Sequence, residues 1–206
     1  MEHQRQRTKP TDIAYGLYLY FLGLSYRNTA KALQRFVHSR SHVSIWKWIK
    51  KYKPKKVSSK RKKSNEFIID ETQIKLVLNI YIWLWVAIEP KHRQILQIDL
   101  SSERTMLVAE RFIIASLINK FGKCPVSTDG GTWYLSTGLS VFGRRTSYIH
   151  SSFEKSIIIE RTIQYIKDRT EGFDDYFPCG KKKCKLKHVI NWFNLFIDQH
   201  NKEIIC

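Results

Sequence analysis

The sequence predicts an α/β protein, a mixed-direction sheet with flanking helices, preceded by a small all-α helix-turn-helix domain. Three observations lead there. Between residues 66 and 100, three strand-like runs follow one another through short connections. Beyond them, short strands alternate with amphipathic helices towards residue 206. Ahead of them, residues 1–52 read as three short helices, the last one cationic.

The first helix covers residues 12–22, apolar and aromatic over about three turns, with Thr11 or Asp12 as its expected cap after Pro10. Gly23 interrupts it. A second helix starts after Ser25 and carries Ala30, Leu33 and Val37 on one face; residues 39–41 break the pattern. The third holds Val43, Ile45, Trp46, Trp48 and Ile49 with Lys47, Lys50 and Lys51 interleaved. A tight break before a cationic last helix is the helix-turn-helix arrangement, which lays its last helix in the major groove. Ser44, Lys47, Lys50 and Lys51 are then the expected contacts to bases or phosphates.

Residues 53–65 have no apolar periodicity, and Lys55, Lys56, Arg61 and Lys62 stand among their cations. This is the expected linker between a domain at 1–52 and one at 66–206, suited to lie along phosphates. Charge divides at the same place. Residues 1–65 hold 17 of the 36 Lys and Arg but only Glu2 and Asp12 of the 18 acids. Hydrophobic content of 43% and aromatic content of 13% exclude a disordered polycation. A cationic module beside a nearly balanced domain points to nucleic acid as partner.

In the second domain, Phe67–Ile69 and Ile74–Leu78 are strand-like around Asp70, and Ile80–Ile88 is continuously apolar, as in a strand buried on both faces. Leu96, Ile98 and Leu100 alternate with Gln97 and Asp99. Short connections make these an antiparallel meander. Ser102 is the expected cap of a helix with Met106, Ala109, Ile113 and Leu117 as its apolar stripe, ended by Gly122. Residues 125–128 form a short strand stopping at Asp129, where Gly130 and Gly131 impose a turn. Residues 148–149 suggest another strand, and helices are expected over 157–169 and 186–199.

Three acids stand out by position: Asp70 at a strand end, Asp129 at another, and Glu160 in the helix after Ile157, Ile158 and Ile159. Carboxylates bordered by apolar residues are costly to keep ionised unless paired. Brought together, three would need a divalent cation, and Mg²⁺ or Mn²⁺ takes oxygen ligands. Two such ions can activate an attacking oxygen and stabilise a leaving one, as phosphodiester chemistry requires. Each acid also has a plain structural reading, as a cap, a turn residue or half of a salt bridge.

The order helix-turn-helix, basic linker, strand Asp, strand Asp, helix Glu resembles the DDE transposases of prokaryotic insertion sequences. Asp70-Glu71-Thr72-Gln73-Ile74-Lys75 looks like the first catalytic block of the IS-six group. Ser127-Thr128-Asp129-Gly130 looks like the second, and residues 159–170 around Glu160 resemble the third. The resemblance implies an RNase H-like, retroviral-integrase-like catalytic domain over 66–206. Asp70, Asp129 and Glu160 would hold two Mg²⁺ (or Mn²⁺), and Lys167 would contact DNA near the cut. It implies cleavage at transposon ends and joining of the 3′-hydroxyl to target DNA. The partners would be double-stranded DNA, as terminal inverted repeats and target, and further copies of the chain. The place of action would be the nucleoid of a prokaryotic cytoplasm.

Several residues take the plainer reading. Glu71 points to the strand face opposite Asp70. Glu154 is the rival third acid, but it precedes the expected helix and lacks the Lys partner. Cys179, Cys184 and His188 amount to a zinc half-site without a fourth ligand. The polar start shows no targeting peptide, and Ile80–Ile88 is half the length a membrane span needs. Two other functions stay open: a non-catalytic DNA-binding protein or decayed transposase, and an RNase H-like nuclease or resolvase acting on DNA structure.

Overall fold

The computed structural model describes residues 8–53, 65–76, 80–134, 148–150, 153–171 and 186–205. Lys55, Lys56, Arg61, Lys62, Cys179 and Cys184 lie outside them.

Three helices open the chain: α1 (Pro10–Phe21), α2 (Tyr26–Phe36) and α3 (His42–Lys51). Pro10 occupies the first turn of α1, where its missing N–H leaves no bond unmade. The expected cap at Thr11 or Asp12 is therefore displaced into the helix. Asp12 is buried there, with His38 Nδ1 at 3.0 Å and Arg40 Nη2 at 3.7 Å, so it ties α1 to the turn before α3. Ser25 and Ser41 cap α2 and α3 by accepting from the N–H groups of Asn28 and Ser44. Leu33, Ile45, Trp48 and Ile49 fill the space between the three helices. Val37, expected on the buried face of α2, ends that helix half exposed.

The second part is built on a five-stranded sheet of β1 (Phe67–Lys75), β2 (Tyr81–Glu89), β3 (Gln94–Ser101), β4 (Val126–Thr128) and β5 (Tyr148–His150), ordered β3-β2-β1-β4-β5. The first three pair antiparallel as expected, while β4 runs parallel to β1 and β5 parallel to β4. Asp70 lies inside β1, not at its end, because the strand runs unbroken through it.

Alternation along the strands divides the core. Phe67, Ile69, Trp85, Ala87 and Leu96 face one layer; Ile68, Ile74, Leu84, Val86, Ile98 and Leu100 face the other. The first layer is α4 (Met106–Arg111), which passes through a π-helical stretch (Phe112–Ile118) into α5 (Asn119–Phe121). Thr105, not Ser102, caps α4 by accepting from Val108 N–H, and Met106 is exposed outside the expected stripe. Gly122 ends the run with φ of 86°, a conformation glycine adopts without strain. The opposite layer is α6 (Phe153–Glu171) and α7 (Leu186–Ile205). Helix α6 starts one turn earlier than expected, since exposed Phe153 and Glu154 lengthen it without adding to its buried face. Trp192, Phe193, Phe196 and Ile197 of α7 are core, as their spacing predicts.

Sheet order, strand directions and helices on both faces are those of the RNase H-like, integrase-like architecture. The N-terminal helices pack onto its α6–α7 layer in one apolar cluster. Arg169 of α6 donates to the carbonyls of Tyr20 (2.6 Å) and Phe21 (2.7 Å) at the end of α1. Asn191 of α7 donates to the carbonyls of Ile49 (3.0 Å) and Tyr52 (3.1 Å) at the end of α3. These four bonds go to carbonyls at helix ends, where intrahelical N–H groups run out, although the Tyr20 carbonyl also accepts from Gly23 N–H at 3.1 Å. No helix among the described residues is long and apolar enough to cross a membrane.

Candidate active site

Strand register alone brings two of the three acids together. Ile68 pairs with Ser127 across the parallel β1–β4 ladder, so Asp70 and Asp129, each two residues further on, reach the same level. Strands so paired lie about 4.8 Å apart. Alternation puts Asp70 on the side of the sheet that also carries Ile68, and α6 covers that side. Ile159, Ile163 and Ile166 bury the inner face of α6, and Glu160, beside Ile159, falls at the rim where β4 has ended. Asp70, Asp129 and Glu160 line one cleft with Thr128, Ser156 and Ile159. Its volume of about 40 Å³ admits small ions and water but no organic ligand, since one water needs roughly 10–15 Å³ measured this way.

The electrostatics follow from this placement. Asp70 is pushed up to about 7, first by burial and then by the carboxylates of Glu71, Asp129 and Glu160; the N–H of Glu71, donated to its Oδ1 at 2.8 Å, pulls the other way. Asp129 and Glu160 are exposed. Asp129 Oδ1 accepts from Gly131 N–H at 2.9 Å, which sets the turn after β4. Among the described residues, no three Asp, Glu, His or Cys side chains stand close enough to hold a metal ion as they are. Asp129 and Glu160 are exposed, so rotation about their side-chain bonds is open to them. The donor set itself fits a hard divalent cation: carboxylate oxygens, a cleft of ionic size, and a central Asp whose carboxyl burial pushes up to about 7.

Behind the cleft stands a group of residues of which sequence reasoning singled out only Glu71, on the strand face where it is found. Glu71 faces the α4 side, away from Asp70, accepting from Tyr134 Oη and pairing with Arg104 Nη1 at 3.5 Å. The Arg104 guanidinium lies over two indoles, Trp83 at 4.3 Å and Trp133 at 4.0 Å. Trp133 in turn folds back onto Gly131, where a Cβ would meet its ring at 2.6 Å. The loop that carries Asp129 is thus braced through Trp133, Arg104 and Glu71 onto β1, the strand that carries Asp70. For the other members, the local signal is the run Gly131-Thr132-Trp133-Tyr134, which starts two residues after Asp129.

The remaining expected residues are scattered. Lys47 and Lys51 are exposed on α3, and Lys50 lies over the Trp46 ring at 3.9 Å. Ser44 is half-buried with its Oγ 3.1 Å from Ser41 Oγ, so it belongs to the helix cap. Lys167 is half-buried on α6, two turns beyond Glu160. Glu154 is exposed in the first turn of α6 and does not line the cleft. His188 sits in the first turn of α7.

The fold is a mixed α/β sheet with helices on both faces, of the RNase H-like kind. The uncharacterized protein MJ0017 of Methanocaldococcus jannaschii is 30% identical over 183 residues, 89% of this chain and 82% of that protein; the chain belongs to the same family. No protein-family profile matches it. Among solved structures, an intasome of simian T-cell lymphotropic virus, in complex with a PP2A regulatory subunit, is similar at TM-score 0.48 and 15% identity. That match covers 88% of this chain and 67% of the other. The HTLV-2 integrase catalytic core domain in complex with magnesium is similar at 0.46 and 21%, covering 65% and 86%. The catalytic core domain of BIV integrase is similar at 0.45 and 15%, covering 65% and 82%.

Proposed function

We propose that the chain is a DNA transposase that cuts phosphodiesters at transposon ends and joins the freed 3′-hydroxyl to target DNA. The observation that carries this reading is the convergence of Asp70, Asp129 and Glu160, from two parallel strands and one helix, on a single cleft of ionic size. Asp70, Asp129 and Glu160 would hold Mg²⁺ or Mn²⁺. Bound divalent ions supply Lewis-acid activation of the attacking and leaving oxygens.

The chain's own residues would do the rest. The cationic side of α3, with Lys47, Lys50 and Lys51, would hold duplex DNA at the terminal repeats, helped by Lys55, Lys56, Arg61 and Lys62. Lys167, on the same helix as Glu160, would hold a phosphate near the scissile bond. Residues 1–52 serve as the DNA-binding unit, 53–65 as the linker and 66–206 as the catalytic unit, working as an oligomer that brings two ends together.

A non-catalytic DNA-binding protein is the competing reading, favoured by the separation of the three carboxylates as they stand. One experiment decides between them. Repeat-ended DNA is incubated with the full chain in Mg²⁺ or EDTA, and products are resolved on a denaturing gel. Nicking and joining in Mg²⁺, abolished by Asp70→Asn, Asp129→Asn or Glu160→Gln while DNA binding persists, supports the transposase. Binding without cleavage at any metal concentration supports the alternative.

A further inference from the structure

A second recess opens on another flank of α6, against the end of α7 and the β2–β3 turn. It measures about 300 Å³, the lower end of the range for small-ligand sites. Arg93, Arg161, Thr162, Tyr165, His200 and Ile204 line it. Its wall is aromatic: the Tyr165 ring lies 5.6 Å from that of His200, and both rest against Phe196, at 5.3 and 6.2 Å. Burial holds the His200 imidazole below its ordinary value, so at neutral pH it offers a ring and not a charge. The two guanidiniums at the rim are exposed and in no ion pair among the described residues. Arg161 follows Glu160 directly in sequence, about 100° further round the helix. Glu203 acts on Tyr165 and His200, a single carboxylate against two arginines.

The backbone adds an independent observation. Arg93 has φ of 57°, the only non-glycine residue with positive φ among those described. Glycine or asparagine would suit that turn position better. A long cationic side chain there carries some backbone strain. The turn is nonetheless secured, since the Arg93 carbonyl stands 3.3 Å from His200 Nε2. The turn geometry therefore holds the Arg93 backbone, and with it the start of its side chain, in one place at the rim of the recess.

We propose that this recess binds one unpaired nucleotide of a DNA strand, its base against Tyr165 and His200 and its phosphates on Arg93 and Arg161. Aromatic walls with basic rims take single-stranded DNA in this way, because every base has a stackable face. The inference rests on the reading of the chain as a DNA-processing protein and names where a strand frayed near the cleft would go.

The test is fluorescence anisotropy with a labelled oligothymidine of about ten nucleotides, in EDTA, using the full chain. Arg93→Gly removes the side chain and relieves the positive φ, so it leaves the fold intact or firmer. Arg93→Gly, Arg161→Ala and Tyr165→Leu should each weaken binding about tenfold. The double arginine variant should also lower the slope of log affinity against log salt by roughly 1.4, for two single-strand phosphates. Unchanged affinity and slope in the double variant, or no binding by the parent chain, overturns the proposal. Its failure is separable from failure of the transposase reading. Mg²⁺-dependent nicking with oligothymidine binding indifferent to these substitutions sinks the recess alone. Sensitive binding with no nicking under any condition sinks the nuclease alone.

Discussion

Asn201, on the last helix, bonds both backbone groups of Ile95: its Nδ2 donates to the Ile95 carbonyl at 2.8 Å and its Oδ1 accepts from the Ile95 N–H at 3.0 Å. Strand β3 is an edge of the sheet, and a side-chain amide here does what one residue of a further strand would do. All of these groups are buried. Asn201→Ala leaves two buried backbone groups unmatched, so unfolding in denaturant should show a loss of about 3 kcal/mol. A loss under about 0.5 kcal/mol would mean that water replaces the amide.

Asp70 makes the metal-free protein sensitive to pH. Its folded value of about 7 stands well above the ordinary carboxylate range, because burial and the neighbouring acids oppose its charge. The unfolded chain ionises near pH 4. The contribution of Asp70 to stability is therefore full below pH 4, falls as pH rises to 7, and stays reduced above. In EDTA at pH 8, Asp70→Asn should be more stable than the parent by on the order of 2 kcal/mol, after allowing for partial exposure. The difference should vanish near pH 4. Adding Mg²⁺ at pH 8 should raise the melting temperature of the parent and leave the variant unmoved. Thermal melts across pH check all three, and a parent that gains nothing from Mg²⁺ counts against the metal site.

Arg104 should matter more for chemistry than for folding. Its contacts with Trp83, Trp133 and Glu71 are partly exposed and contribute modestly to stability. They do set the loop that presents Asp129. Arg104→Ala should lower nicking roughly 10- to 100-fold, weaken Mn²⁺ binding, and shift the melting temperature by only a few degrees. Equal Mn²⁺ affinity in parent and variant would show that the loop holds its place without the guanidinium.

Gly16 makes the opposite kind of prediction. A Cβ there would meet the Trp48 ring at 2.9 Å and Leu33 at 3.2 Å. Alanine usually favours a helix over glycine by about 1 kcal/mol, but overpacking at a helix crossing costs about 1–3 kcal/mol. Gly16→Ala should therefore destabilise the N-terminal helices and weaken duplex binding, measured by gel shift, while the edge bond at Ile95 is untouched.

The fold was legible wherever burial is periodic. Leu96, Ile98 and Leu100 alternate with polar neighbours, and Asp129 before two glycines marks where a strand must stop. The start of α6 was hidden because Phe153, apolar by type, is 81% exposed and adds nothing to a buried stripe. The cap at Thr105 was hidden by serines just before it, one of which, Ser101, instead accepts from Trp85 Nε1 at 2.8 Å. Asp70 could be singled out because it follows three buried apolar residues, a costly place for a charge; Asp129 and Glu160, both exposed, stood out only by their places at a strand end and after three isoleucines. The brace of Trp83, Arg104, Glu71 and Tyr134 joins four separate stretches of chain, so no local pattern announces it. The same holds for the recess, where Arg93 and His200 are over a hundred residues apart.

Arg169 and Asn191 fasten the ends of α1 and α3 to the two helices behind the sheet, and the N-terminal helices, α6, α7 and one face of the sheet share one apolar interior. A head mounted so firmly behaves as a ruler, unlike one on a tether. On the proposed reading, duplex gripped by α3 would leave the protein along a set direction, so the face of the double helix offered to the same chain's cleft would depend on the count of base pairs between. Inserting about five pairs turns that face through half a revolution, and productive geometry would then return only near a full turn.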